Sequence, residues 1–97
     1  MIERARVYAA IDGERDYQER RWGNAPSGGK HPVTEYLAYM QDYLTEALHQ
    51  VARNADPEAA EMALHTVRKI TAMGVACMEQ NGAPTRFFED GGADEAL

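Results

Sequence analysis

The stretch PEAAEMALHTVRKITAMGVACMEQNG, residues 57–82, decides the fold. Asp56 before it is a good N-cap, Pro57 suits the first helical position because its missing N–H has no intrahelical partner there, and Glu58 complements the positive end of the helix dipole. Asn81-Gly82 and then Pro84 end the helix with a C′ glycine and a proline stop. Between those signals two apolar stripes run side by side. Ala60, Ala63, Leu64, Val67, Gly74, Val75 and Met78 read as the core face, and Met62, Thr66, Ile70, Met73 and Cys77 form a second stripe. A helix that is apolar over so much of its circumference belongs in the middle of a packed assembly.

Upstream, Pro32 starts a second helix that runs to Arg53. Val33, Leu37, Met40, Leu44, Leu48 and Val51 recur every three or four residues on one face, and Glu35, Tyr39, Asp42, Glu46, His49 and Arg53 recur on the other. A first helix covers the N-terminal segment, with a thin apolar face (Ile2, Ala5, Ala9; Val7, Ile11) and a weak point at Gly13, so it depends on contacts with the rest of the protein. The expectation is all-α: one domain, 1–86, with helices at about 2–21, 32–53 and 57–81, followed by an acidic tail, 87–97, of disordered composition. Phe87-Phe88 would strap onto the bundle. Three helices cannot easily cover both stripes of the third, so the second stripe is expected to pack on another copy, giving a helical bundle by homo-oligomerisation; the alternative is that the first helix covers it.

The charge of −6 is concentrated at the C-terminus: without Glu89, Asp90, Asp94 and Glu95, twelve acids face ten Lys and Arg. No basic stripe is left to bind duplex nucleic acid. Cys77 is the single cysteine, which excludes an intrachain disulfide and suits a reducing compartment. With no long apolar run and no basic-then-apolar N-terminus, neither a membrane span nor a secretory signal is read, and the expected location is the cytoplasm.

Chemistry concentrates around ERDYQERRWG, residues 14–23, where a dense charge run ends on the only tryptophan. Trp22 and Tyr17 offer rings for a base or sugar, although an aromatic that ends a helix is more often a packing anchor. Arg15, Arg21, Arg68 and Lys69 offer cations for phosphate, against which stands salt bridging to Glu14, Glu35 or Glu46. Gly28-Gly29-Lys30-His31 precedes a helix N-terminus, a position that favours anions, but it is no P-loop: Asn24 stands where a glycine is needed and His31 where Ser or Thr is needed. Asp42, Glu46 and His49, and separately Glu61 and His65, have the helical spacing of metal ligands, yet such faces are usually solvated. Tyr36, Tyr39 and Tyr43 read as an interface flank, and Cys77 as a small buried hydrophobe.

The blocks Glu14-Arg15-Asp16-Tyr17-Gln18, Arg21-Trp22-Gly23, Tyr36, Glu46-Ala47, Lys69-Ile70 and Val75-Ala76-Cys77-Met78-Glu79-Gln80-Asn81-Gly82 together resemble a group of small phage and prophage proteins of unknown function. The resemblance spans about residues 8 to 85. A Trp-containing loop ahead of two long helices is also distantly similar to the all-α MazG-like nucleoside triphosphate pyrophosphohydrolases, which hold Mg²⁺ with Glu-Glu-x-x-Glu on one helix and Glu-x-x-Asp on the next. The second helix here has only Asp42 and Glu46, and the third has neither block. For a phage-type protein the resemblance implies an anti-defence role in the host cytoplasm, like that of oligomeric sponges for nucleotide immune signals.

The expected function is therefore non-catalytic binding of a phosphorylated nucleotide in a pocket between subunits, by Arg15, Gln18, Trp22, Lys30, Arg68 and Lys69, with no cofactor. The alternative is a MazG-like Mg²⁺-dependent pyrophosphohydrolase using Glu14, Asp42, Glu46 and Glu79, and a third reading is an inhibitor that binds another protein through its acidic surface.

Overall fold

The computed structural model describes residues 1–23, 29–53 and 57–86. The Asp56 cap, most of the glycine-rich loop and the tail with Phe87-Phe88 lie outside the described residues. Three helices and no strand are present among the described residues: α1 is Arg4–Trp22, α2 Val33–Arg53 and α3 Pro57–Asn81. Both α1 and α2 pack on α3 and not on one another, so α3 is the central element, as its broad apolar surface implies. No described helix is long and apolar enough to cross a membrane.

Local chemistry sets the ends. Pro32 stands one residue ahead of α2, and its carbonyl accepts from the N–H groups of Glu35 and Tyr36. At the same end of the bundle Gly82 closes α3, with φ +115 and its N–H on the Met78 carbonyl at 2.9 Å. Gly29 has φ +73, and a Cβ there would stand 3.2 Å from the Trp22 carbonyl oxygen, so this backbone passes close to the end of α1. Gln80 and Asn81 then pin the entry to α2. Gln80 accepts from the His31 N–H and donates to the Gly29 carbonyl, while Asn81 donates to the carbonyls of His31 and Cys77.

The helices bury different stripes from those expected. Tyr36 and Ala47 of α2 and Ala59, Ala72, Met73 and Ala76 of α3 are buried, with Ala63, Thr66, Ile70 and Cys77 half-buried. The stripe assigned to a second subunit thus packs inside the protomer, except for exposed Met62. The stripe assigned to the core is instead largely open: Leu64, Val67 and Met78 are exposed, as are Val33, Leu37, Leu44, Leu48 and Val51 of α2. The physical reason is size. The inward arc of α3 carries Ala59, Ala72 and Ala76, which belong to neither stripe, and with Ala47 of α2 these small side chains suit close helix packing, whereas Leu64, Val67 and Met78 fall on the arc turned outward.

α1 is attached differently. Only Ile11 and Gln18 of this helix are buried, and Ile2, Val7 and the alanines of the expected stripe face solvent. Polar contacts fix it to α3: Arg68 Nε donates to Glu14 at 2.7 Å, Arg15 Nε donates to Glu79, and Gln18 Nε2 donates to the Lys69 carbonyl at 3.2 Å. Charge pairing replaces apolar burial along this seam.

Candidate functional site

A helix with few apolar residues leaves room beside α3. Glu14, Tyr17, Gln18, Arg21 and Trp22 fall at successive helical spacings of three and four, so they form one face of α1. With Lys69 and Met73 of α3 and Tyr43 of α2, they line a cleft of about 220 Å³. A wider groove of about 570 Å³ adjoins it, lined by Ala10, Gly13, Glu14, Tyr17, Arg68 and Lys69. Tyr17, Glu14 and Lys69 belong to both.

The cleft combines three kinds of group. Trp22 is half-buried and Tyr17 and Tyr43 are exposed, so three aromatic side chains that can stack on a planar ligand line the cleft. Lys69 and Arg21 are exposed and carry no ion pair among the described residues. Gln18 is 2% exposed. Its amide N–H₂ is committed to the Lys69 carbonyl, and its shielded Oε1 has no hydrogen-bond partner. Such an acceptor costs about 1–3 kcal/mol when left unpaired, and because Oε1 is shielded from solvent a ligand donor reaches it only where the Gln18 side chain turns toward the cleft.

Of the six expected ligand residues, Gln18, Trp22 and Lys69 come together in this cleft. The other three do not join them. Arg15 is clasped by Glu79 and Glu19, whose hydrogen bonds and charge raise its pKa against the opposing effect of burial. Arg68 borders the adjoining groove, but its guanidinium is held by Glu14 and donates to His65 Nδ1 at 2.6 Å. Salt bridging of Arg68 to Glu14, the structural reading of this cation, is what the geometry has. Lys30 stands in a separate groove with His31, Pro32, Glu79, Gln80 and Asn81. There His31 Nδ1 pairs with Glu35 at 2.9 Å, so a carboxylate already occupies the first turn of α2.

The carboxylates of the hydrolase reading are dispersed. Glu14 and Glu79 each hold an arginine, and Asp42 and Glu46 are exposed on α2. Among the described residues no three His, Cys, Asp or Glu side chains are grouped to hold a metal ion. Two cleft residues, Tyr43 and Met73, are not ligand residues in the sequence reading, and Tyr17 and Arg21 are a candidate ring and a candidate cation there but lie outside the expected set of six. The spacing of Tyr17 and Arg21 from Gln18 and Trp22 was a usable signal, whereas Tyr43 and Met73 enter through the packing of α2 on α3. No family model, no curated protein and no solved structure matches this chain.

Proposed function

We propose that this chain is a small homo-oligomeric, non-catalytic binding protein for a phosphorylated nucleotide, with the ring in the α1–α3 cleft and the phosphates against Lys69 and Arg21. One observation carries the reading: a buried glutamine with an unpaired acceptor, three aromatic rings and two unpaired cations line the same cleft. The volume supports this division of the ligand. A cleft of about 220 Å³ lies below the ~300 Å³ at which drug-sized sites begin, so it suits one planar ring rather than a whole nucleotide. The charged remainder would extend out of the cleft, where Lys69 and Arg21 are exposed.

The site lies within one protomer, so a ligand pocket shared between subunits is not needed. Homo-oligomerisation stays part of the reading for another reason, the number of large apolar side chains left exposed on α2 and α3. Sequestration of a host nucleotide signal is the use that the resemblance to small phage proteins suggests.

Trp22 is the single tryptophan and therefore reports on the cleft directly. Its fluorescence, titrated with ATP, ADP-ribose and a cyclic dinucleotide, should change saturably for at least one of them, with no phosphate released. Flat titrations with all three at millimolar concentration, together with an unshifted melting temperature, would sink the proposal.

A further inference from the structure

A broad apolar face of the described residues lies on the other side of α3 from the cleft. Val33, Leu37, Leu44, Leu48 and Val51 follow one another along α2, and Leu64, Val67 and Met78 along α3, each of these eight side chains between 45% and 66% exposed. The two rows border the same seam. Met40, which sits in the α2 row between Leu37 and Leu44, places its Cε 3.9 Å from where a Cβ on Gly74 would be, and Gly74 lies between Val67 and Met78 on α3. Tyr43 and Met73 leave the seam on its opposite side and line the cleft. The apolar rows therefore make one continuous face, turned away from α1.

We infer that this face is the contact surface for a second copy of the chain, so that two α2–α3 hairpins form a four-helix bundle with α1 and the cleft of each protomer on the outside. The inference deepens the oligomeric part of the proposed function and does not depend on the ligand.

Extent is the first argument. Eight half-exposed Leu, Val and Met side chains present several hundred Å², beyond the ~300–600 Å² of the largest patch on a typical monomer and close to the ~800 Å² per partner of a standard interface. Chemical uniformity is the second. Positions 33, 37, 40, 44, 48 and 51 of α2, and 60, 64, 67, 71, 75 and 78 of α3, include no charged residue. The one polar member, Thr71, donates its hydroxyl to the Val67 carbonyl at 2.7 Å and needs no outside partner. In a two-fold contact a patch meets itself, and a charge near the axis would meet its like; an uncharged face avoids that penalty.

Shape is the third argument. The α2 row runs from Val33 to Val51 and the α3 row from Ala60 to Met78, each about 27 Å at 1.5 Å per residue, so two hairpins match along their full length. The fourth is the set of apolar residues buried among the described ones: Ile11, Tyr36, Ala47, Ala59, Ala72, Met73 and Ala76, of which four are alanines. Three helices with so little bulk between their described residues gain apolar burial by association.

Sedimentation velocity on the full chain should give a dimer or a multiple of it at micromolar concentration. Leu48→Asp and Leu64→Asp should each weaken association at least 100-fold, whereas Met62→Asp, on the opposite flank of α3, should leave it unchanged. Should either face variant unfold, single cysteines introduced at Leu44, Leu64 or Val67 in a Cys77→Ser background decide the matter. On oxidation at least one should cross-link two chains, and a cysteine at Met62 should not. A monomeric wild type overturns the inference, as does an oligomer that survives both aspartates or cross-links only through position 62. Trp22 titrations on the same samples read the cleft separately, so a dimer that binds no nucleotide refutes the cleft reading alone.

Discussion

Glu14 of α1 and Arg68 of α3 form an ion pair, Nε to Oε1 2.7 Å, in which the Glu14 side chain is only 9% exposed and the arginine 32%. The pair joins two helices that share little apolar contact, so it carries an unusual part of their attachment. Removing one member leaves a poorly hydrated charge behind. Glu14→Gln and Arg68→Met should each destabilise the protein by about 1–2 kcal/mol, less than a fully buried pair would lose because Arg68 keeps some solvent. Urea unfolding of both single variants and the double variant gives the coupling energy, and additive losses would mean the pair is inert.

The cations of the cleft and the cations of the seam should separate in a binding assay. Lys69→Met and Arg21→Gln should weaken nucleotide binding about tenfold each, the loss expected for one charge-assisted hydrogen bond, with little effect on helix content. Arg68→Met should lose stability but keep affinity within a factor of about three. Equal affinity in the Lys69 and Arg21 variants, measured by Trp22 fluorescence, would remove the phosphate contacts from the cleft.

Much of this architecture is legible in the residues. Pro57, Gly82 and the stripes between them specify α3 and its central place, and the spacing of α2 gives its two faces. Which apolar row faces inward is not legible. Periodicity sorts residues onto faces but does not say which face the neighbouring helices take, and the inward arc of α3 centres on Ala59, Ala72 and Ala76, which lie outside both apolar stripes. The site divides in the same way. Gln18 and Trp22 share a helical face with Tyr17 and Arg21, whereas the ion pairs that occupy Arg15 and Arg68 depend on the register of α1 against α3, which one helix alone does not encode.

Tyr36 predicts the behaviour at high pH. Burial pushes its hydroxyl above the ordinary tyrosine value, and the nearby Arg15 charge opposes this only in part. The folded protein keeps the Tyr36 proton at a pH where the unfolded chain has released it, so stability is intact below about pH 10 and falls as pH rises through the folded value. Tyr36→Phe lacks this penalty. Its stability, whatever the loss at neutral pH, should decline less steeply than wild type between about pH 9 and 11, and parallel denaturation profiles would contradict the assignment.

Two glycines should respond in opposite directions to alanine. Gly29 has φ +73 and the Trp22 carbonyl 3.2 Å from a Cβ, so Gly29→Ala should cost about 1–2 kcal/mol and disturb the Trp22 fluorescence. Gly13 lies within α1 with nothing within 4 Å of a Cβ. There alanine should stabilise by about 0.5–1 kcal/mol. Thermal melts of both variants test the pair, and a neutral Gly29→Ala would show that the loop adjusts.

The choice between binder and enzyme rests on where the carboxylates are held. A Mg²⁺ ion on a triphosphate needs several converging oxygen ligands. Glu14 is engaged by Arg68 and Glu79 by Arg15, and withdrawing either from its arginine would undo the seam between α1 and α3. Asp42 and Glu46 lie on the exposed side of α2, and no metal-ligating group of three forms among the described residues. Incubation with each nucleoside triphosphate and Mg²⁺ or Mn²⁺, at high protein concentration, should therefore release no pyrophosphate. Metal-dependent release that disappears in Glu46→Gln would reverse the assignment, because it would require these dispersed carboxylates to gather around a metal in another arrangement of the chains.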